Sequence, residues 1–132
     1  MNEIITTFAE LLDKQQFTEA GQLLSEDCTY QYEEGKYQGN TAIANIFHQN
    51  HLAYLNYFDE VAYSSSVSHE KDDTYRIELI DKLRKGPRWH ETMSYCIVTL
   101  PGDKIVDIRQ HSIPGEAEAL RAFHQESMAR GL

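Results

Sequence analysis

At 132 residues the chain is long enough for one domain with a true core, burying roughly two thirds of its unfolded surface. Its 41% hydrophobic and 25% charged residues are a globular composition, and no apolar run approaches the roughly 18 residues of a membrane span. A net charge of −9, with no basic cluster beyond DKLRKGPR, excludes a nucleic-acid partner and disfavours an anionic membrane, whereas a neutral or cationic small ligand is unaffected by that sign.

Residues 1–132 read as one domain. The start, MNEIITTFAELL, has an acidic residue where a signal peptide needs basic ones, and no small-residue cleavage pattern follows. Cys28 and Cys96 stand far apart and outside any CxxC or metal-finger spacing, which fits a reducing compartment. A cytoplasmic protein is expected.

Ile4, Ile5, Phe8, Leu11 and Leu12 fall on one helical stripe and predict a first helix. Phe17, Ala20, Leu23 and Leu24 predict a short second helix that ends before the alternating CTYQY. There the chain becomes strand, and EEGKYQGN, with Gly35 and Gly39, brackets a second short strand, so Tyr30 and Tyr32 sit on a hairpin arm. Asn40 or Thr41 can cap a third helix whose Ile43, Ile46, Phe47 and Tyr54 share a face.

From there to Ile113 the pattern is sheet. NYFDEVAYSSSVSHE predicts a strand with a bulge at its serines. YRIELIDKLRKGPRWHETMSYCIV predicts two long strands joined through Gly86-Pro87, and KIVDIRQHSI a last strand entered by a tight Gly102-Asp103 turn. Pro114 stops the ladder. Glu116 and Glu118 then begin a closing helix with Ala117, Leu120 and Phe123 on its apolar face.

The order of elements, with the local pieces LLSEDCTYQY, GNTAI and GDKIVDIR, resembles the SnoaL-like branch of the nuclear transport factor 2 superfamily. The resemblance implies an α+β cone, in which a curved antiparallel or mixed sheet wraps N-terminal helices and leaves a pocket open at one end. It also implies binding of a hydrophobic or amphipathic small molecule, with isomerase, hydrolase or cyclase chemistry that uses no cofactor. Locally, Arg76-Ile77-Glu78 is similar to the Arg-x-Asp strand motif of limonene epoxide hydrolases, and Tyr30-Gln31-Tyr32 to their Tyr-Gln-Asn. Gln110 stands where their second catalytic Asp falls and Tyr32 where their water-holding Asn falls, which leaves Glu78 as the one carboxyl of that constellation.

Two arrangements of the long hairpin are open. A three-residue loop, Lys85-Gly86-Pro87, sets Glu78 opposite Ser94, so that Arg76, Glu78, His90, Ser94 and Cys96 share a polar face while Tyr75, Ile77, Leu79, Met93, Tyr95 and Ile97 share an apolar one. Hydrophobicity favours the apolar face inside; the family resemblance favours the polar one. On the second reading the binding residues are Tyr30, Tyr32, Arg76, Glu78, His90 and Gln110, and the outward apolar face pairs with a second copy as a homodimer. The last strand is similarly open: a two-residue turn brings Asp107, Arg109 and His111 inward, the family pattern Ile108 and Gln110, and the latter is carried forward. His48 and His51 have helical spacing but no third ligand, so no metal site is expected, and Cys96 has no adjacent base to make it a nucleophile. An enzyme-like binding domain and a non-catalytic dimerising module both remain open.

Overall fold

The computed structural model describes residues 2–33 and 35–132; Glu34, within EEGKYQGN, lies outside the described residues. Helix α1 (Glu3–Asp13) starts at Asn2, whose side chain accepts a hydrogen bond from the Ile4 N–H at 2.8 Å, and it buries Ile5, Phe8 and Ala9 along one stripe. Helix α2 (Phe17–Gly21) ends sooner than the sequence pattern suggests, because Leu24 already belongs to strand β1 (Leu24–Tyr32) and pairs with Ile105. Gly21 is required by packing: a Cβ there would lie 2.9 Å from the Cβ of Ala44.

Strand β2 (Gly35–Gln38) forms the expected hairpin with β1, and helix α3 (Asn40–Tyr57) follows. Its N-cap is Gly39, at φ +103°, rather than Asn40 or Thr41; Asn40 Oδ1 instead accepts from the adjacent Thr41 N–H, so no side chain caps the helix. Strands β3 (Glu60–Lys71), β4 (Thr74–Lys85) and β5 (Arg88–Thr99) form an antiparallel meander, β6 (Ile105–Ser112) completes the sheet, and α4 (Glu116–Ala129) closes the chain. The strand order is β2-β1-β6-β5-β4-β3, with β6 parallel to β1 and antiparallel to β5. No helix among the described residues is long and apolar enough to cross a membrane.

Three local expectations are corrected by register. The serine bulge is absent: β3 pairs with β4 without interruption from Glu60 to His69, since Ser65 points inward to a partner on α1 while Ser64 and Ser66 point outward. The Gly102-Asp103 turn is not a two-residue turn, because a longer loop pairs Thr99 with Asp107 and thereby turns Ile108 and Gln110 inward.

The third concerns the long hairpin. Lys85 pairs with Arg88, so the loop is the two residues Gly86-Pro87, with Gly86 at φ +58°, a conformation glycine adopts freely and the tight hairpin turn requires. Shortening the expected loop by one residue slides one strand past the other and changes which faces coincide. Ile77 stands opposite Cys96, Leu79 opposite Ser94, Asp81 opposite Thr92 and Leu83 opposite His90. The apolar side of β4 thus shares the inner face with the polar side of β5. Neither sequence arrangement is correct as a whole.

Two apolar clusters hold the helices on this inner face. One joins Ile5 and Phe8 of α1 and Ile43 of α3 to Tyr30, Ile77, Val98 and Ile108 of the sheet; the other joins Phe58, Val61, Leu83 and Phe123. The sheet between them is incompletely filled.

Candidate functional site

Between the two clusters lies a cavity of about 840 Å³, floored by β3, β4, β5 and β6 and walled by α1, α3 and α4. Aromatic rings make up much of its lining, among them those of Phe8, Phe17, Phe47, Tyr54, Tyr57, Phe58 and Tyr63. Such a volume and lining suit an organic ligand of drug-like size held by a few placed polar groups.

The chief polar group is Asp81. On β4 it continues the inward series Ile77, Leu79, so strand alternation places a carboxyl in the apolar floor. Burial pushes its pKa from 3.8 up to about 6, opposed by the hydrogen bond that the Tyr54 hydroxyl donates to Oδ2 at 2.8 Å and assisted by the charge of Asp13. Desolvation, with the nearby Asp81 carboxylate, raises the Tyr54 phenol in turn, so it remains a donor.

Asp13, the last residue of α1, is the second carboxyl. The hydroxyl of Ser65 donates to its Oδ2 at 2.7 Å, while its Oδ1 is buried without a hydrogen-bond partner among the described residues. Its pKa also lies above the usual carboxylate range, chiefly through desolvation. Ser65, which holds Asp13, lies opposite Leu79, and Tyr63 lies opposite Asp81, so the serine that holds the first carboxyl is one inward step of the sheet, about 7 Å along the strand, from the pair that carries the second. A third pair completes the polar set: His51 Nδ1 and the Tyr63 hydroxyl are 2.7 Å apart. His51 is held below its usual pKa, first by burial and then by the charge of His48. The Cys96 thiol, pushed up to about 12 by burial, is neutral at physiological pH.

Of the six binding residues expected from the sequence, Tyr30, Tyr32, Arg76, Glu78, His90 and Gln110, only Gln110 lines this cavity. Its amide accepts from the Tyr30 hydroxyl and donates to Ser94 Oγ at 3.2 Å. Tyr30 and Tyr32 face a smaller neighbouring cavity of about 250 Å³, which Gln110 also touches. Arg76 and Glu78 are a correction: they stand on the opposite, outer face, paired to each other at 3.4 Å with side chains 31% and 42% exposed, and the Arg76 guanidinium lies 3.8 Å from the ring centroid of Tyr95. The register described above put them there. His90 is on the inner face but beyond the cavity, stacked on Phe123 beneath α4 at 5.0 Å. The expected apolar outer face is also revised, because Tyr75 and Ile77 turn inward, leaving Met93, Tyr95, Ile97 and Ile80 outside, beside the half-exposed Trp89.

Asp81, Asp13 and Tyr63 were not among the sequence candidates, and His51 entered there only as half of a helical His pair without a third metal ligand. One signal did point to Asp81: in RIELIDKL it is the single charge in the inward series Ile77, Leu79, Asp81, Leu83. Asp13 carried none, since a polar residue at the end of a helix is ordinarily solvated.

No protein-family model and no curated protein matches the chain. Solved structures do. An NTF2-like protein with a cystatin-like fold from Novosphingobium aromaticivorans is 22% identical, with a TM-score of 0.61 over 90% of this chain and 83% of that one. A hypothetical protein with a ketosteroid isomerase-like fold from Catenulispora acidiphila, in complex with trimethylamine, is 15% identical, with a TM-score of 0.70 over 90% and 92% of the two chains. An LEH-like epoxide hydrolase from M. tuberculosis is 12% identical, with a TM-score of 0.69 over 98% and 94%. Similarity at this level of identity is one of fold, and the chain accordingly has the NTF2-like, cystatin-like α+β fold, a curved six-stranded mixed sheet with helices on its inner face.

Proposed function

We propose that the protein is a small-molecule-binding domain that takes an amphipathic ligand into the 840 Å³ cavity and exchanges a proton with it through Asp81. The observation that carries this reading is the placement of Asp81: a carboxyl in an apolar floor, held by one phenol, with a pKa near neutrality at about 6. A group poised there can act as general acid or general base without a cofactor. Gln110 and the His51–Tyr63 pair add neutral hydrogen-bonding groups that can orient a ligand. Proteins sharing the fold include an epoxide hydrolase and one in complex with trimethylamine, which supports ligand binding in a cup of this kind. In this reading the chain is one domain, and its outer sheet face, with Met93, Tyr95 and Ile97, pairs two copies.

The test is a thermal-shift screen with terpenoid, steroid, polyketide-like and aromatic amine compounds, repeated on Leu79→Trp, whose indole enters the cavity. Stabilisation of the wild type by at least one class, lost in the folded variant, is expected. No shift with any class would overturn the reading.

A further inference from the structure

The charges around the cavity are unbalanced. Two carboxyls face it, Asp13 from α1 and Asp81 from β4, and the one permanently charged cation among the described lining residues is Arg121. Arg121 stands at the rim on α4, its side chain 68% exposed and paired with Glu118 at 3.7 Å. The titratable groups that face the carboxyls from other elements do not supply the missing charge. His51 on α3 is held toward its neutral form, Cys96 on β5 keeps its proton, and Tyr54 and Tyr63 are phenols raised out of the physiological range. His124, on α4, packs its ring against Tyr57 and Phe58 at the mouth.

A ligand entering such a cup expels water from the carboxyls. A neutral body would leave an ionised carboxyl desolvated and unpaired, and an anion would be repelled. A cation reverses both terms, and rings around it add attraction through their π faces. The unpartnered, buried Oδ1 of Asp13 is an acceptor awaiting a donor.

We infer that the ligand is a lipophilic amine, its ammonium seated between Asp13 and Asp81 and its hydrocarbon body lying against Phe17, Phe47 and Phe58. This inference rests on the proposed binding function and names its ligand class. An inorganic cation is a poorer occupant, because the described residues offer no group of three or more His, Cys, Asp or Glu side chains able to hold a metal ion, and it would leave the aromatic wall wet.

The experiment compares two probes of the same shape, benzyltrimethylammonium and its neutral carbon isostere neopentylbenzene, by titration calorimetry at pH 5 and pH 8. The cation carries a fixed charge, so any pH dependence belongs to the protein. With Asp81 titrating at about 6, the cation should bind about tenfold more weakly at pH 5 than at pH 8, whereas the isostere, which leaves an ionised carboxyl unpaired, should bind at least as well at pH 5 as at pH 8. In Asp81→Asn the cation should lose at least tenfold in affinity at pH 8, and most of its pH dependence, while the isostere loses none of its affinity. Any slope that survives in this variant reports Asp13 and His51. Equal or tighter binding of the isostere would overturn the inference and leave the cavity reading standing. Tight cation binding insensitive to both pH and Asp81→Asn would also overturn it, by putting the ammonium elsewhere. Binding of neither probe, together with a blank thermal screen, would overturn both.

Discussion

Replacing Asp81 with Asn should stabilise the protein, and only above the carboxyl's titration. The folded state raises the pKa from 3.8 to about 6, principally by desolvation. At about 1.4 kcal/mol per unit, the ionised side chain is roughly 3 kcal/mol less favourable in the fold than in the unfolded chain. Because the folded pKa is the higher one, folding favours the protonated form: the contribution is fully present below about pH 4 and is lost as pH rises through about 6. Asn keeps an oxygen to accept from Tyr54 and cannot ionise. Asp81→Asn should therefore match the wild type within about 0.5 kcal/mol at pH 4 and exceed it by about 3 kcal/mol at pH 8, or about 10 °C in Tm for a chain of this length. Urea melts at half-unit pH steps, with unchanged m values, measure the difference directly. A gain independent of pH, or none at pH 8, would refute the placement of this carboxyl in a desolvated floor.

Two further outcomes follow from the outer face. Arg76→Ala should cost about 1 kcal/mol or less in a neutral-pH denaturant melt, because its partner Glu78 is 42% exposed and what is lost is a wet ion pair and a guanidinium stacked on Tyr95; a cost above 3 kcal/mol would mean that the pair is enclosed. Tyr95→Glu, which puts a charge at the centre of the proposed dimer face, should convert a wild-type dimer into monomers by sedimentation at micromolar concentration; a wild-type monomer, or an undisturbed dimer, would remove that face from assembly.

The helices and strands were legible because each rests on local chemistry. The stripe Ile5, Phe8, Ala9, the alternation of β4 and β5, and the acidic first turn of α4 are visible in any window of a dozen residues. Gln110 was placed on the inner face correctly by analogy with the family pattern, since the loop before β6 contains no feature that counts its residues. The hairpin register was not legible. It turns on whether Lys85 belongs to the strand or the loop, and lysine is at home in either; Gly86-Pro87 marks the turn without fixing its length. That one-residue ambiguity moved Arg76 and Glu78 out of the site and brought Asp81 into it. Sequence alternation identifies which residues share a face of one strand; it cannot identify which faces of two strands coincide until the loop is counted. The Asp13–Ser65 and His51–Tyr63 contacts join elements distant in the chain and left no local trace.

Strand β6 has a consequence for how the molecule comes into being. It lies between β1 and β5, so the early hairpin β1–β2 and the later meander β3–β4–β5 share no strand ladder until residues 105–112 arrive. During synthesis from the N-terminus, each half would emerge with a bare edge and with inward apolar groups such as Tyr30 or Val98 lacking Ile108 as a neighbour. The contact that joins them, exemplified by Tyr30 with Gln110, spans 80 positions of the chain and carries a large loop-closure entropy before any reward. β6 is thus the keystone laid last, and the cup exists only once it is in place. A chain cut short before Ile105 would present two open edges to its neighbours and be prone to aggregate instead of persisting as a weakened binder.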